Sequence, residues 1–156
     1  MFRSRFTVVA ALAAFVSVAA VGVTGASALA SASSRPSITC TGVSGAASGF
    51  NFYGCSGNTG GNSQILSVAT LGGGGTITWA NSPTLLTTTI GKPAVTVSRG
   101  ACADTAQVMS EWTYKGTVTA DETGSAPVGG GWKVSICVDI YRGGVTMPPG
   151  AVAVFK

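Results

Sequence analysis

The alternation of apolar and polar residues in the last third of the chain constrains the fold most strongly. Along Glu111–Asp121 and Gly131–Tyr141 every second residue belongs to one mainly apolar set, exemplified by Trp132 and Val134. A period of two over five repeats is typical of β-strands that bury one face. The intervening residues 122–130 are rich in Gly, Ser and Pro, which favour turns. The two stretches are therefore predicted to form an antiparallel hairpin.

Shorter strand-like runs fill the sequence before and after this hairpin. Runs rich in Val, Ile, Thr and aromatic residues alternate with clusters of Gly, Asn, Ser and Pro. Gly100–Val108 is the only stretch that could hold a helical turn. The pattern predicts an all-β fold of about eight or nine short strands, a single antiparallel β-sandwich or a flattened barrel. The further predicted strands are Ile38–Val43, Phe50–Gly54, Gln64–Leu71, Thr76–Ala80, Thr84–Ile90, Ala94–Arg99 and Ala151–Phe155.

The beginning of the chain has the pattern of a secretory signal. Arg3 and Arg5 precede the apolar run Val8–Val23, and small residues follow at Ala26–Ala28, where a signal peptidase would cut. An uncleaved anchor is the alternative, but the run is short for crossing a bilayer. The predicted divisions are a signal peptide at 1–28, a flexible lead-in at 29–36 and a secreted β domain at 37–156.

Four cysteines remain after the signal, namely Cys40, Cys55, Cys102 and Cys137. An even number of cysteines in an exported chain predicts two disulfide bonds. A zinc site is disfavoured because the sequence has no histidine and no CxxC pair. Three connectivities are possible, and we favour Cys40–Cys55 with Cys102–Cys137 because each bond then joins neighbours along the chain. Cys137 also lies among the polar positions of its strand, so another segment is expected to cross there.

Charge and residue types exclude several functions. The sequence has no histidine, which excludes Ser-His-Asp and Cys-His catalysis. Asp121 and Glu122 are adjacent and should point to opposite faces, and Asp139 is expected to form a structural ion pair with Lys115 or Lys133. The basic residues are scattered, unlike those of a nucleic-acid surface. We therefore expect no enzyme activity, no cofactor, no metal, no nucleic-acid partner and, after signal cleavage, no membrane partner.

Three residues are candidates for an interaction site. Phe50, Phe52 and Tyr53 lie so close along one strand that neighbouring members must face opposite sides, and one of them is expected to be exposed. We take Phe50 and Tyr53 as possible contact residues. Met147 is the third, because the loop Arg142–Gly150 could act as the exposed loop of a protease inhibitor.

A series of short motifs runs along the chain in this order: Cys40, Gly54-Cys55, Thr76-Ile-Thr-Trp79, Cys102, Gly116-Thr-Val-Thr119, Val134-x-x-Cys137 and Pro149-Gly150. This order resembles small secreted proteins of unknown function from actinobacteria. The resemblance implies an exported β domain with disulfides and supplies no catalytic residues. In size and disulfide count the chain is also similar to subtilisin-inhibitor-like proteins and enediyne-binding apoproteins, but its cysteine spacing differs from both.

The sequence therefore predicts a binding or interaction module of the extracellular space or cell surface. Its expected partner is an extracellular protein or a component of the cell envelope. Two alternatives stay open: a secreted protease inhibitor, and a carrier of a small apolar ligand whose site would be lined by tryptophan.

Overall fold

The computed structural model of the chain describes residues 35–81, 83–99, 101–102 and 109–156. The predicted signal peptide, nearly all of the lead-in and most of the stretch predicted to hold a helical turn lie outside these residues. The elements in the described part are β1 (Ile38–Ala46), β2 (Gly49–Cys55), α1 (Val68–Gly73), β3 (Gly75–Trp79), β4 (Leu86–Ile90), β5 (Ala94–Ser98), β6 (Met109–Asp121), β7 (Gly131–Asp139), β8 (Gly144–Thr146) and β9 (Ala153–Phe155).

The nine strands of the described residues form one antiparallel sheet, which confirms the all-β prediction. Its main order is β2-β1-β8-β7-β6-β4-β3, and β9 also lies between β1 and β7. The long strand β6 carries two partners along one edge: β5 pairs with residues 111–115, and β4 pairs with residues 118–121.

Backbone hydrogen bonds also join the two ends of this order. The segment 62–66 lies between β2 and β3, where Leu66 and Phe50 exchange N–H···O bonds of 2.6 and 2.8 Å. On its other side the N–H of Gln64 donates to the carbonyl of Thr78 at 2.7 Å. The ladder of bonds thus returns to its starting strand.

The strand predicted at Gln64–Leu71 is wrong. Only isolated bridges form near its start, and the chain then turns into the helix α1. Ser67 has the extended backbone of an N-cap, and its hydroxyl accepts a bond of 3.0 Å from the N–H of Thr70. This capping bond satisfies a free N–H of the first helical turn, which outweighs the weak strand preference of the Val-Ala-Thr sequence.

The core is built around aromatic side chains inside the ring of strands. Phe155 is fully buried and contacts Trp79 edge to face at 5.8 Å between ring centroids. Trp132 stacks on the same ring at 6.1 Å. The indole N–H of Trp79 donates to Thr88 at 2.8 Å, so this buried polar group is satisfied. Trp79 and Trp132 therefore serve as core residues.

The predicted hairpin is confirmed as β6 and β7. In its register Trp112 lies opposite Ile136, and Gly116 lies opposite Trp132. A side chain at Gly116 would overlap the indole of Trp132, so the glycine lets that ring lie across the neighbouring strand. The second strand ends two residues earlier than predicted, at Asp139, and Ile140 lies in the following turn with 55% of its surface exposed.

The two disulfides have the favoured pairing. Cys40 and Cys55 are direct partners in the register of β1 and β2, with Cα atoms 3.9 Å apart. Cys102 and Cys137 join the connection between β5 and β6 to the polar face of β7, with Cα atoms 5.5 Å apart. Cys102 lies against this face, and both it and Cys137 are buried. Within the described residues, no helix has the length and apolar composition needed to cross a bilayer.

Candidate functional site

A groove of about 490 Å³ lies between the β1–β2 pair and the segment 146–152. Its floor is formed by β1, and Tyr53 of β2 stands on one side. The opposite wall is the connection from β8 to β9. The groove is lined by Thr41, Gly42, Val43, Tyr53, Thr146, Met147, Pro148, Pro149, Gly150, Ala151 and Val152.

Tyr53 owes its position to the glycine opposite it. Gly42 and Tyr53 are paired in the register, and a Cβ at position 42 would overlap the phenol ring. The ring therefore lies over the bare backbone of β1 and buries Gly42, while 45% of Tyr53 remains exposed. An aromatic ring over a strand glycine fixes the ring without enclosing it.

The opposite wall is shaped by a proline turn. The N–H of Ala151 donates to the carbonyl of Pro148 at 3.0 Å, and Gly150 supplies the positive φ of +73° that this turn requires. Pro148 is buried, whereas Val152 is 41% exposed at the rim of the groove. Prolines reduce the conformational freedom of this wall before any ligand binds.

The lining of the groove is uncharged. Besides the backbone, its polar atoms are the hydroxyls of Thr41, Thr146 and Tyr53, and the remaining side chains are apolar. Such a surface has no group that would pair with a charged ligand, and it loses little hydration when an apolar segment covers it. Its chemistry suits a neutral, mainly apolar ligand.

The structure brings together two of the three predicted site residues. Tyr53 and Met147 line the same groove, although 94 positions separate them in the sequence. Phe50 lies in the core with 1% of its surface exposed and contacts Phe52 at 5.8 Å. The strand alternation that exposes Tyr53 therefore places both phenylalanines inside.

Two features of this region were not predicted from the sequence: the exposed rim residue Val152 and the strand β8. Val152 was included in a predicted strand, and β8 forms inside the loop Arg142–Gly150. Val145 of β8 is buried because it pairs with both Gly45 and Val138. A three-residue strand carries too short an alternation to be recognised.

The carboxylates of the described residues accept local hydrogen bonds. Asp121 accepts from Thr88, Thr123 and the N–H groups of Ser125 and Ala126. The other three have similar roles: Glu122 accepts from Thr87, Glu111 accepts from the N–H of Ala101, and Asp139 accepts from the N–H groups of Tyr141 and Arg142.

Asp139 differs from its predicted role as an ion-pair partner of a lysine. The bonds from Arg142 and Tyr141 hold the pKa of Asp139 below its usual value of 3.8. Lys133 lies six residues away along the same strand, a distance of about 20 Å. Asp139 thus stabilises the turn after β7. On the neighbouring strand, burial raises the pKa of Tyr114 to about 12.

A second, larger cavity of about 720 Å³ lies near the last strand. It is lined by the glycine-rich turn 127–131 together with Arg35, Ser37 and Lys156. None of the predicted interaction residues lies there. Within the described residues, no group of three or more Asp, Glu, His or Cys side chains is arranged to hold a metal ion.

Protein-family models, characterised proteins and solved structures were all compared with this chain, and none of them matches it.

Proposed function

We propose that this protein is an exported binding module whose groove takes an uncharged, mainly apolar peptide segment of another extracellular protein. The observation that carries the proposal is the neutral lining of the groove, with Tyr53 and Val152 exposed at its two rims. A rigid aromatic side chain and nearby prolines provide apolar contact area at a low cost in conformational entropy.

The groove supports a peptide ligand better than a glycan. Its side chains offer three hydroxyls and lack the amides, carboxylates and guanidinium groups that could form paired hydrogen bonds with sugar hydroxyls. Apolar side chains of an extended peptide can contact the exposed side chains of Tyr53 and Val152 and the partly buried Met147.

A binding role also accounts for the polar residues. The carboxylates of Glu111, Asp121, Glu122 and Asp139 accept hydrogen bonds from backbone N–H groups, and the sequence has no histidine to act as a base. Acid–base catalysis needs a titratable group whose proton is free to move toward a substrate. We therefore propose that the protein is not an enzyme.

The position of Met147 favours the groove over the inhibitor alternative. An inhibitor loop must project its central side chain into a protease pocket, but Met147 is partly buried against the core. The exposed tip next to Cys137 is instead the tight turn 140–142. It is closed by a hydrogen bond of 2.8 Å that the N–H of Gly143 donates to the carbonyl of Asp139. This closed turn differs from the extended loop that a protease cleft accepts.

Export is part of the proposal. The two disulfides indicate an oxidising compartment, and the first 28 residues have the composition of a cleaved signal. The mass of the intact protein from a culture supernatant should correspond to a chain without residues 1–28 and without four thiol hydrogens. A mass that retains the signal, or four free thiols, would contradict export.

The ligand proposal is tested with a defined peptide. The probe is a synthetic uncharged peptide rich in Pro, Val and Leu, and its control carries two Asp residues in place of apolar ones. We expect NMR shifts at Gly42, Tyr53 and Gly150 with the neutral peptide, and much weaker ones with the acidic peptide. A Val152→Asp variant should bind about tenfold more weakly, which corresponds to about 1.4 kcal/mol.

Val128→Asp is the matched control because Val128 is 65% exposed and lies outside the groove. This variant should bind like the unmodified protein. Equal binding by Val152→Asp and the unmodified protein, or no binding of the neutral peptide, would overturn the proposal. Groove shifts with an oligosaccharide of N-acetylglucosamine but not with the peptide would replace it with a glycan-binding function.

A further inference from the structure

Within the described residues, the strand β5 has an open edge. Among the described residues it pairs only with β6, and all five of its residues are exposed. Val95 and Val97 are 43% and 55% exposed, although their partners Tyr114 and Trp112 contact the core. A strand with an open edge offers unpaired N–H and C=O groups to another strand.

This edge lacks the features that usually prevent pairing. The sequence Ala94-Val-Thr-Val-Ser98 contains no charge, no proline and no glycine. Proteins commonly block open edges with Lys or Pro on the strand itself, or with charges that point inward. Here Pro93 and Arg99 lie outside the strand at its two ends. The edge is therefore competent to accept another strand.

We propose that the partner is a second copy of this protein, joined edge to edge through β5 in an antiparallel, two-fold symmetric pair. The strand is complementary to itself about Thr96. When Thr96 faces its own copy, Val95 lies opposite Val97, and Ala94 lies opposite Ser98. The four valines then form one apolar cluster that continues from Trp112 and Tyr114.

Charge complementarity supports this partner. On the other face of the sheet, Lys115 is paired with Ala94, and Glu111 is paired with Ser98. The symmetric register therefore places Lys115 of one copy and Glu111 of the second copy in the same row, separated only by the small side chains of Ala94 and Ser98. The row spans three strand spacings, about 14 Å, so the two opposite charges attract each other across the small residues while Glu111 also accepts the N–H of Ala101. Two such rows form.

The dimer leaves the proposed binding groove free. The groove lies at the β1–β2 end of the strand order, and β5 lies at the other side of β7 and β6. Two copies joined through β5 would present two grooves to a partner with repeated segments, which increases the overall affinity. A five-residue edge forms a small interface, so a weak dimer is expected.

The test is sedimentation velocity of the purified, disulfide-bonded protein from micromolar to millimolar concentration. We expect the weight-average mass to rise toward that of a dimer. Val97→Lys places a charge in the valine cluster and should leave the protein monomeric, whereas the matched control Val128→Lys should dimerise like the unmodified protein. A monomer at all concentrations, or unchanged dimerisation by Val97→Lys, would overturn the proposal.

A charge exchange tests the register without relying on one variant. Lys115→Glu and Glu111→Lys should each weaken self-association at least several-fold, because each creates rows of like charge. A mixture of the two variants should associate like the unmodified protein, because each row then joins a Lys to a Glu. A mixture that associates no better than either variant alone would contradict this register.

Discussion

β4 and β5 pair with the same edge of β6 but differ in burial. β4 has the sequence Leu-Thr-Thr-Thr-Ile, and its Thr88 and Ile90 are buried between β3 and β6. β5 has the sequence Ala-Val-Thr-Val-Ser, and all of its residues are exposed. Both are short runs of β-branched residues. The difference between the two strands follows from their second partner in the sheet. β4 pairs with β3 as well as with β6, whereas the described residues provide no second strand for β5.

The largest expected effect on stability concerns the disulfide next to the open edge of β5, Cys102–Cys137. Cys102–Cys137 ties the connection that follows β5 to β7 and closes 35 residues, so its removal should cost about 4 kcal/mol of unfolding free energy. Cys40–Cys55 closes 15 residues within the ring, and its removal should cost about 3 kcal/mol. Urea unfolding of the two double Cys→Ala variants measures both losses.

Amide hydrogen exchange in the two double Cys→Ala variants shows which strands are destabilised by the loss of each disulfide. Loss of Cys102–Cys137 should accelerate exchange in β5 more than in β4, because only β5 adjoins the released connection. Equal acceleration of exchange in both strands would contradict the claim that β4 is held on both edges and β5 on only one.

The next effect comes from truncating matched side chains. Ile90→Ala removes a side chain that is 2% exposed and should cost about 3 kcal/mol through the lost contacts and the remaining cavity. Val97→Ala removes a 55% exposed side chain and should cost less than about 1 kcal/mol. Thermal or urea unfolding compares the two. A similar cost at both positions would show that Val97 is covered.

The sequence predicted that β4 and β5 are strands but not which of them would be covered. The Thr and Val content favours a strand in both cases, whereas coverage depends on β3 and the 62–66 segment, which pair across the fold. The sequence of that segment shows no alternation of apolar and polar residues, and the segment forms only isolated bridges. Similarly, the groove could not be predicted from Tyr53 and Met147, since it forms only where the distant segments 41–53 and 146–152 come together.

The smallest expected effect is the pH dependence of the turn after β7. The hydrogen bonds of Asp139 to two backbone N–H groups lower its pKa in the folded state. This contribution to stability is present above the unfolded pKa near 3.8 and is lost as the pH falls through the lowered folded value. Asp139→Asn should therefore reduce the loss of stability between about pH 5 and about pH 2.

The urea midpoints of the two proteins across this range measure the contribution of Asp139. The matched control is Ile140→Asn, which changes an exposed side chain of the same turn without removing a titratable group and should leave the acid dependence unchanged. Identical acid dependence of Asp139→Asn and the unmodified protein would show that the carboxylate does not stabilise the turn.

Residue-resolved amide exchange at micromolar protein concentration tests the open edge most directly. In β4, which has hydrogen-bonded strands on both sides, the amides of Thr88–Ile90 should all exchange slowly. In β5 only the alternate amides that point toward β6 should be slow, and those that point away should exchange quickly. Slow exchange of every β5 amide in the monomer would show that another segment covers this edge, and it would contradict the account.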